Sequence, residues 1–158
     1  MNVLVIGSAP DSVRASSWEM SAFDQVIAIN NAWRITNQWN ELIFPYDFAD
    51  KNKPSMLHKH QKIVTEDQFV YTQNLFGGFV YAGATMAFTA GYWSLAHHKP
   101  NKLCFLGCNM YYNQIGPTHF YGQGRPDPLR DDITLTSLEA CSYRMLIFAK
   151  MQGCDIVS

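Results

Sequence analysis

Short apolar runs alternate along the chain with segments whose apolar residues recur at helical spacing. The strongest runs predict strands at residues 2–6, 26–29, 42–44, 102–107 and 154–157, with weaker candidates at 62–64 and 69–71. The helical patterns cover residues 12–20, 32–38, 84–98 and 136–151. Helix 84–98 is apolar on nearly all faces, so we expect it to be covered by other elements.

This alternation of strands and helices predicts an α/β fold: a single doubly wound, mostly parallel, Rossmann-like sheet with helices on both faces. A length of 158 residues fits one domain, residues 1–158. Ligands of such sheets bind beyond the carboxyl ends of the strands. Four polar segments follow predicted strands, so we expect them to face one crevice: 7–11, 30–31, 46–47 and 108–112.

Composition narrows the classes of partner. A net charge of −1 gives no basic field for nucleic acid or an anionic membrane. No apolar stretch reaches the roughly 20 residues of a membrane span. The four cysteines form no C-x-x-C pair and fit no compact zinc finger, so we interpret them as reduced core thiols of a cytoplasmic protein. Composition leaves open whether the chain forms a homo-oligomer.

The first strand leads into the turn Gly7-Ser8-Ala9-Pro10. A strand, a small-residue turn and a helix form the first unit of a nucleotide-binding sheet, and we expect unpaired N–H groups of this turn to contact phosphate or ribose. The turn lacks the further glycines of a dinucleotide fingerprint and the Lys of a P-loop, which disfavours NAD and P-loop chemistry. The alternative is a tight turn without a ligand.

Polar residues also follow two later strands. Asn30 and Asn31 can hydrogen-bond a base or a ribose, or serve only as turn residues, because Asn tolerates left-handed backbone. Tyr111 and Tyr112 follow the 102–107 strand, and their phenol groups can donate to a leaving phosphate. Their alternative role is aromatic packing under a loop.

The long polar segment 108–132 is a candidate ligand-covering loop. It contains His119, a candidate general base for a hydroxyl group, whose alternative role is to bond the main chain. Arg125 and Arg130 can clamp a phosphate or a carboxylate, or pair with neighbouring aspartates. We expect the remaining histidines to be structural or solvated: His58, His60, His97 and His98.

Taken in order, these motifs resemble a known family. They are Gly7-Ser8-Ala9-Pro10, Ile29-Asn30-Asn31, Tyr81-Ala82-Gly83-Ala84 before an apolar helix, Leu106-Gly107-Cys108-Asn109-Met110-Tyr111, and the His-containing loop. The chain resembles the bacterial CMP-sialic-acid-dependent sialyltransferases and the wider Rossmann-like group around them, which includes 6-hydroxymethylpterin diphosphokinase-like domains. Ala9, Ala82 and Asn109 depart from the Gly, Ser and Asp of the family.

The resemblance implies a metal-independent glycosyltransferase whose substrate is a CMP-type nucleotide sugar and whose second partner is a glycan acceptor. The residues implied to hold CMP are Gly7, Ser8, Ala9, Pro10 and Asn30, and we add Asn31, Gly83 and Tyr112 to the predicted nucleotide site. Tyr111 matches the tyrosine that donates to the leaving phosphate. His119 lies nearest to the position of the base that deprotonates the acceptor.

Two alternatives stay open. The wider group also implies a diphosphokinase-like transfer from ATP, which would need Mg²⁺ held by carboxylates, and Asp47, Asp50 and Asp127 are the candidates. The other alternative is a nucleotide-binding domain without catalysis.

Overall fold

Six strands are present in the computed structural model, which describes residues 1–77, 85–109, 116–123 and 138–158. They are β1 (Asn2–Ile6), β2 (Gln25–Ile29), β3 (Glu41–Ile43), β4 (Lys62–Val64), β5 (Lys102–Leu106) and β6 (Asp155–Val157). All pair in parallel in the order β4-β3-β2-β1-β5-β6, which confirms the predicted α/β, Rossmann-like sheet.

The sheet is organised around β1, which pairs with β2 on one side and β5 on the other. Chain order runs outwards from β1 in both directions, so the topological switch point lies between β1 and β5. Val3, Leu4, Val5 and Ile6 are fully buried, as expected for a strand with both faces covered. The carboxyl ends of β1 and β5 therefore mark the place where a ligand is expected.

Among the described residues, three α-helices cover one face of the sheet: α1 (Glu66–Asn74), α2 (Met86–His97) and α3 (Leu138–Met151). α2 is buried from Met86 to Leu95, which confirms the expectation drawn from its apolar pattern. Its indole and phenol rings pack over alternate residues of the central strands in the larger of the two core clusters.

The opposite face is covered by 3₁₀ helices: Pro10–Ser17, Met20–Ala22 and Asn30–Arg34. Helices on both faces were predicted, but the α-helical patterns at 12–20 and 32–38 are wrong in type. Trp39, only 2% exposed, fills the space beneath this thin cover. A fourth 3₁₀ helix, Asp50–Asn52, lies in the irregular region between β3 and β4.

The weak strand candidate at 69–71 is also wrong, because these residues lie within α1. Thr65 and Gln68 form a capping box, in which each side chain bonds the backbone of the other residue, and this box starts the helix. Phe69 is buried and Tyr71 is 69% exposed. The other weak candidate, 62–64, is confirmed as β4.

All four cysteines are free thiols, but they are not all in the core. Cys154 is buried, Cys104 and Cys108 are half-buried, and Cys141 is exposed on α3, which corrects the expectation for that residue. Within the part of the chain that the structure describes, no helix has the length and apolar character needed to cross a bilayer.

Candidate functional site

The β1 and β5 ends are in close backbone contact at the switch point. The Gly7 N–H donates to the Leu106 carbonyl at 2.8 Å, and the Ala9 N–H donates to the Gly107 carbonyl at 3.0 Å. A Cβ at Gly7 would overlap the Gly107 carbonyl, and Gly107 itself has φ +68°. The expectation that the whole turn presents unpaired N–H groups is therefore wrong for Gly7 and Ala9, whose N–H groups join the two strand ends.

Two donors of the turn remain. Among the described residues, the N–H groups of Ser8 and Asp11 have no acceptor, and Pro10 has no N–H. The Asp11 carboxylate accepts a hydrogen bond from Asn109 Nδ2 at 3.2 Å, which ties the turn to the residues after β5. The turn thus offers two N–H donors beside one carboxylate, a mixture suited to a ligand that carries both acceptor oxygens and hydroxyl donors.

Asn30 and Asn31 lie at the carboxyl end of β2, next to β1 in the sheet. Asn30 has φ 50°, which confirms the left-handed turn residue predicted there. The Oδ1 atoms of both residues are buried without a hydrogen-bond partner in the described structure. Leaving a buried acceptor unpaired costs about 1–3 kcal/mol, so these two oxygens are places where a ligand donor would be favoured.

His119 is brought to the first turn by the segment 116–123. The Phe120 N–H donates to the Ser8 carbonyl at 3.0 Å, and His119 and Gly122 exchange two backbone hydrogen bonds of 3.0 Å. His119 is 7% exposed, and its Nδ1 lies 2.8 Å from Thr118 Oγ1. Burial lowers the pKa of His119 below 6.5, so the imidazole is neutral at pH 7 and able to accept a proton.

Several predicted residues cannot be placed in this arrangement. Those that lie outside the described residues are Gly83, Tyr111, Tyr112, Arg125, Asp127 and Arg130. The segment 46–47 lies after β3, where the Tyr46 N–H donates to the carboxylate of Glu66 at 3.1 Å in the first turn of α1. The structure therefore joins the 7–9 turn to the segment that carries His119 through the Phe120–Ser8 bond, with Asn30 and Asn31 at the end of the neighbouring strand.

The carboxylates proposed for Mg²⁺ are not clustered where the structure describes them. Asp50 is exposed and forms an ion pair of 2.6 Å with Lys53. Among the described residues, no group of three His, Cys, Asp or Glu side chains could hold a metal ion.

A buried cluster at the opposite end of the sheet was missed by the sequence analysis. Glu41, at the start of β3, is 1% exposed. Its Oε2 accepts from Trp93 Nε1 at 2.6 Å and lies 3.0 Å from His98 Nε2, while Lys62 Nζ lies 2.9 Å from its Oε1. Burial raises the pKa of Glu41, but the bonds to His98, Lys62 and Trp93 outweigh burial and lower the pKa to about 2.

This cluster joins β3, β4 and α2, so its role is structural. His97 belongs to the same region: its Nε2 lies 2.9 Å from Thr72 Oγ1, and its ring stacks on Trp93 at 3.8 Å. These contacts confirm the structural interpretation of His97 and His98. No local signal marks Glu41 in the sequence, because its partners lie 21 to 57 positions away.

The candidate site thus consists of a turn with two available N–H donors, two buried amide oxygens and a neutral histidine. The turn and the two amides lie at the carboxyl edge of the sheet, and the segment that contains the histidine is hydrogen-bonded to the turn. The chain matches no protein-family model, no curated protein and no solved structure.

Proposed function

We propose that the chain binds a CMP-type nucleotide sugar at the carboxyl ends of β1 and β2 and transfers the sugar to a glycan acceptor without a metal ion. The observation that carries this proposal is the pair of buried, unpartnered amide oxygens of Asn30 and Asn31 beside the first turn. Buried oxygens without partners favour a ligand that brings hydrogen-bond donors.

Cytidine monophosphate supplies the groups that this edge lacks. Its exocyclic amine and ribose hydroxyls are donors for the oxygens of Asn30 and Asn31. Its phosphate oxygens are acceptors for the N–H groups of Ser8 and Asp11. The Asp11 carboxylate disfavours a phosphate directly against it, so a ribose hydroxyl is the better partner for that group.

His119 supplies the base in the proposed transfer. Its neutral imidazole takes the proton of an acceptor hydroxyl, and the resulting oxygen attacks the anomeric carbon of the sugar. The bond from that carbon to the phosphate oxygen breaks, and CMP leaves with the electron pair. By the family resemblance, Tyr111 donates a hydrogen bond to the departing phosphate. We further propose that the protein acts in the cytoplasm, where its free thiols stay reduced.

Two alternatives are kept for the same edge of the sheet. A diphosphokinase-like transfer from ATP would require Mg²⁺, and a nucleotide-binding domain without catalysis would require only the amide oxygens and the turn. A thermal-shift panel of CMP, CDP, UDP and ATP, each with Mg²⁺ and with EDTA, separates them from the transferase.

We expect CMP to stabilise the protein equally with Mg²⁺ and with EDTA, by about 2.7 kcal/mol at a hundredfold excess over Kd. Stabilisation by ATP only in the presence of Mg²⁺ would favour the kinase alternative. The matched variant is Asn30→Gly, which keeps the positive φ but removes the amide. A CMP response unchanged in this variant would exclude Asn30 from the site.

A further inference from the structure

The outer side of α3 presents large apolar side chains to solvent. The helix packs on the core through Met145 and Ala149, which are both buried. Four apolar residues on the other side are exposed, and they are Tyr143 at 60%, Leu146 at 42%, Ile147 at 59% and Met151 at 76%. A helix on the surface of a globular domain ordinarily carries polar residues on the side away from the core. The outer side of α3 therefore has the character of a contact surface.

The exposed area is sufficient for a small specific interface. The four side chains expose about 470 Å², taking roughly 200 Å² for each fully exposed large side chain. Contact between two such surfaces would bury about 940 Å² of apolar area, and neighbouring polar side chains would bring the total to roughly 1,200 Å², the lower limit of specific interfaces.

Four exposed residues form a straight stripe along this surface, and they are Glu139, Tyr143, Leu146 and Lys150. Their spacing of four, three and four positions places them within about 60° of one another around the helix axis. The same spacing forms the seam between two packed helices in a coiled coil. The stripe is apolar in its middle, acidic at its amino end and basic at its carboxyl end.

The two charged ends of the stripe are not paired within the described part of the chain. Glu139 and Lys150 form no ion pair there, and they lie about three turns apart, too far to pair with each other. Arg144, the other charged residue of α3, donates to the Phe76 carbonyl and lies 5.2 Å from the centre of the Phe148 ring. It is therefore directed away from the stripe.

We propose that this surface joins two copies of the chain about a two-fold axis, with their α3 helices packed antiparallel. A two-fold axis through the middle of the stripe reverses its order in the second copy. Glu139 of one copy then lies opposite Lys150 of the other, and Tyr143 lies opposite Leu146. Two ion pairs close the ends of an apolar seam, so the stripe is complementary to itself.

This complementarity selects a second copy over other occupants. An anionic membrane surface attracts clusters of basic residues, whereas the stripe carries one acid and one base. A second copy supplies both opposite charges at the required separation without any further partner. Because the buried area is at the lower limit for specific interfaces, we expect a weak dimer with a Kd of about 10–100 µM.

The test is sedimentation equilibrium of the full chain at about 1 to 300 µM, a range that spans this Kd. We expect a mass of 18.0 kDa at the lowest concentration and a rise towards twice this value. Leu146→Asp places a carboxylate in the apolar middle of the seam and should raise the Kd at least about thirtyfold. Leu57→Asp is the matched control, because Leu57 is 39% exposed and precedes β4 at the other edge of the sheet; it should leave the Kd unchanged.

A charge exchange tests the antiparallel arrangement. Lys150→Glu sets two carboxylates opposite each other at both ends of the seam and should raise the Kd about tenfold. Adding Glu139→Lys to this variant restores opposite charges at both ends. The double variant should therefore return to within about threefold of the wild-type Kd.

Each contrary result overturns the proposal. A mass of 18.0 kDa at every concentration shows that the surface does not join two copies. A Kd unchanged by Leu146→Asp places the contact on another surface. A double variant as weak as Lys150→Glu refutes the antiparallel packing. None of these residues belongs to the candidate nucleotide site, so this proposal and the proposed function fail separately.

Discussion

Glu41 gives the sharpest prediction on stability. Replacing it with Gln removes a buried charge that lies beside Trp93, His98 and Lys62 while keeping nearly the same shape. The folded-state pKa of about 2 is lower than the ordinary value of 4.5. The carboxylate therefore stabilises the fold above pH 4.5, and this stabilisation is lost as the pH falls towards 2.

The magnitude follows from the size of the pKa difference, at about 1.36 kcal/mol per pH unit. The ionised group contributes about 3 kcal/mol at pH 5 and about 1.4 kcal/mol at pH 3. The wild type should thus lose about 2 kcal/mol relative to Glu41→Gln over this interval.

The assay is urea denaturation at pH 5, 4 and 3 for both proteins. Glu139→Gln, the same change at an exposed residue of α3, is the matched control and should follow the wild type. If the difference in free energy of unfolding between the wild type and Glu41→Gln stays constant from pH 5 to pH 3, the pKa of Glu41 is not depressed and the proposed ion pairing is refuted.

Three further predictions concern other parts of the fold. Gly7→Ala should lower the free energy of unfolding by about 1–3 kcal/mol, because the added Cβ overlaps the β5 end, whereas the Cβ of Gly91→Ala meets a flexible methionine and should cost less. Equal losses of the two variants in urea denaturation would contradict this. Iodoacetamide should modify the exposed Cys141 first. Cys108 should stay unmodified until the protein unfolds, because burial raises its pKa to about 12. Similar modification rates of the two cysteines by mass spectrometry would contradict this. His119→Gln should lower the rate of sugar transfer by about 10²–10⁴-fold. The wild-type rate should decrease on the acid side with an apparent pKa lower than 6.5, and an apparent pKa above 6.5 would contradict the assignment of His119 as the base.

The strands could be predicted because burial on both faces leaves a direct trace in the sequence. Residues 2–6 and 102–107 are continuous apolar runs between polar segments, and they became β1 and β5 within one residue at their ends. Their order along the chain was enough to predict a parallel sheet. The parallel pairing of all six strands agrees with that prediction, whereas the register and the position of β4 at the edge were not predicted.

The helix type was harder to predict, because it depends on the space available. The segments before β2 and β3 are short and contain Pro10, Asn30 and Asn31, and they fold as 3₁₀ helices over the sheet. Residues 69–71 have the composition of a strand, but the capping box at Thr65 and Gln68 starts a helix. The Thr-x-x-Gln pattern of this box is present in the sequence and favours a helix, and here it outweighs the strand preference of the β-branched and aromatic residues.

The candidate site was predictable only in part. The positive φ of Asn30 followed from residue type. The closure of Gly7 against Gly107 did not, because it depends on how two strand ends separated by 100 residues meet. Likewise, the bond from Phe120 to Ser8 brings the segment that contains His119 to the turn, and no local pattern marks such a long-range contact.

The most direct test of the central claim is a CMP titration followed in the ¹H–¹⁵N spectrum of the full chain with EDTA present. We expect the side-chain amide peaks of Asn30 and Asn31 and the backbone amide peaks of Ser8 and Asp11 to shift together, because these groups line the proposed nucleotide site. The Gln38 amide peak should not move. No shift at the four residues with saturating CMP would contradict the account.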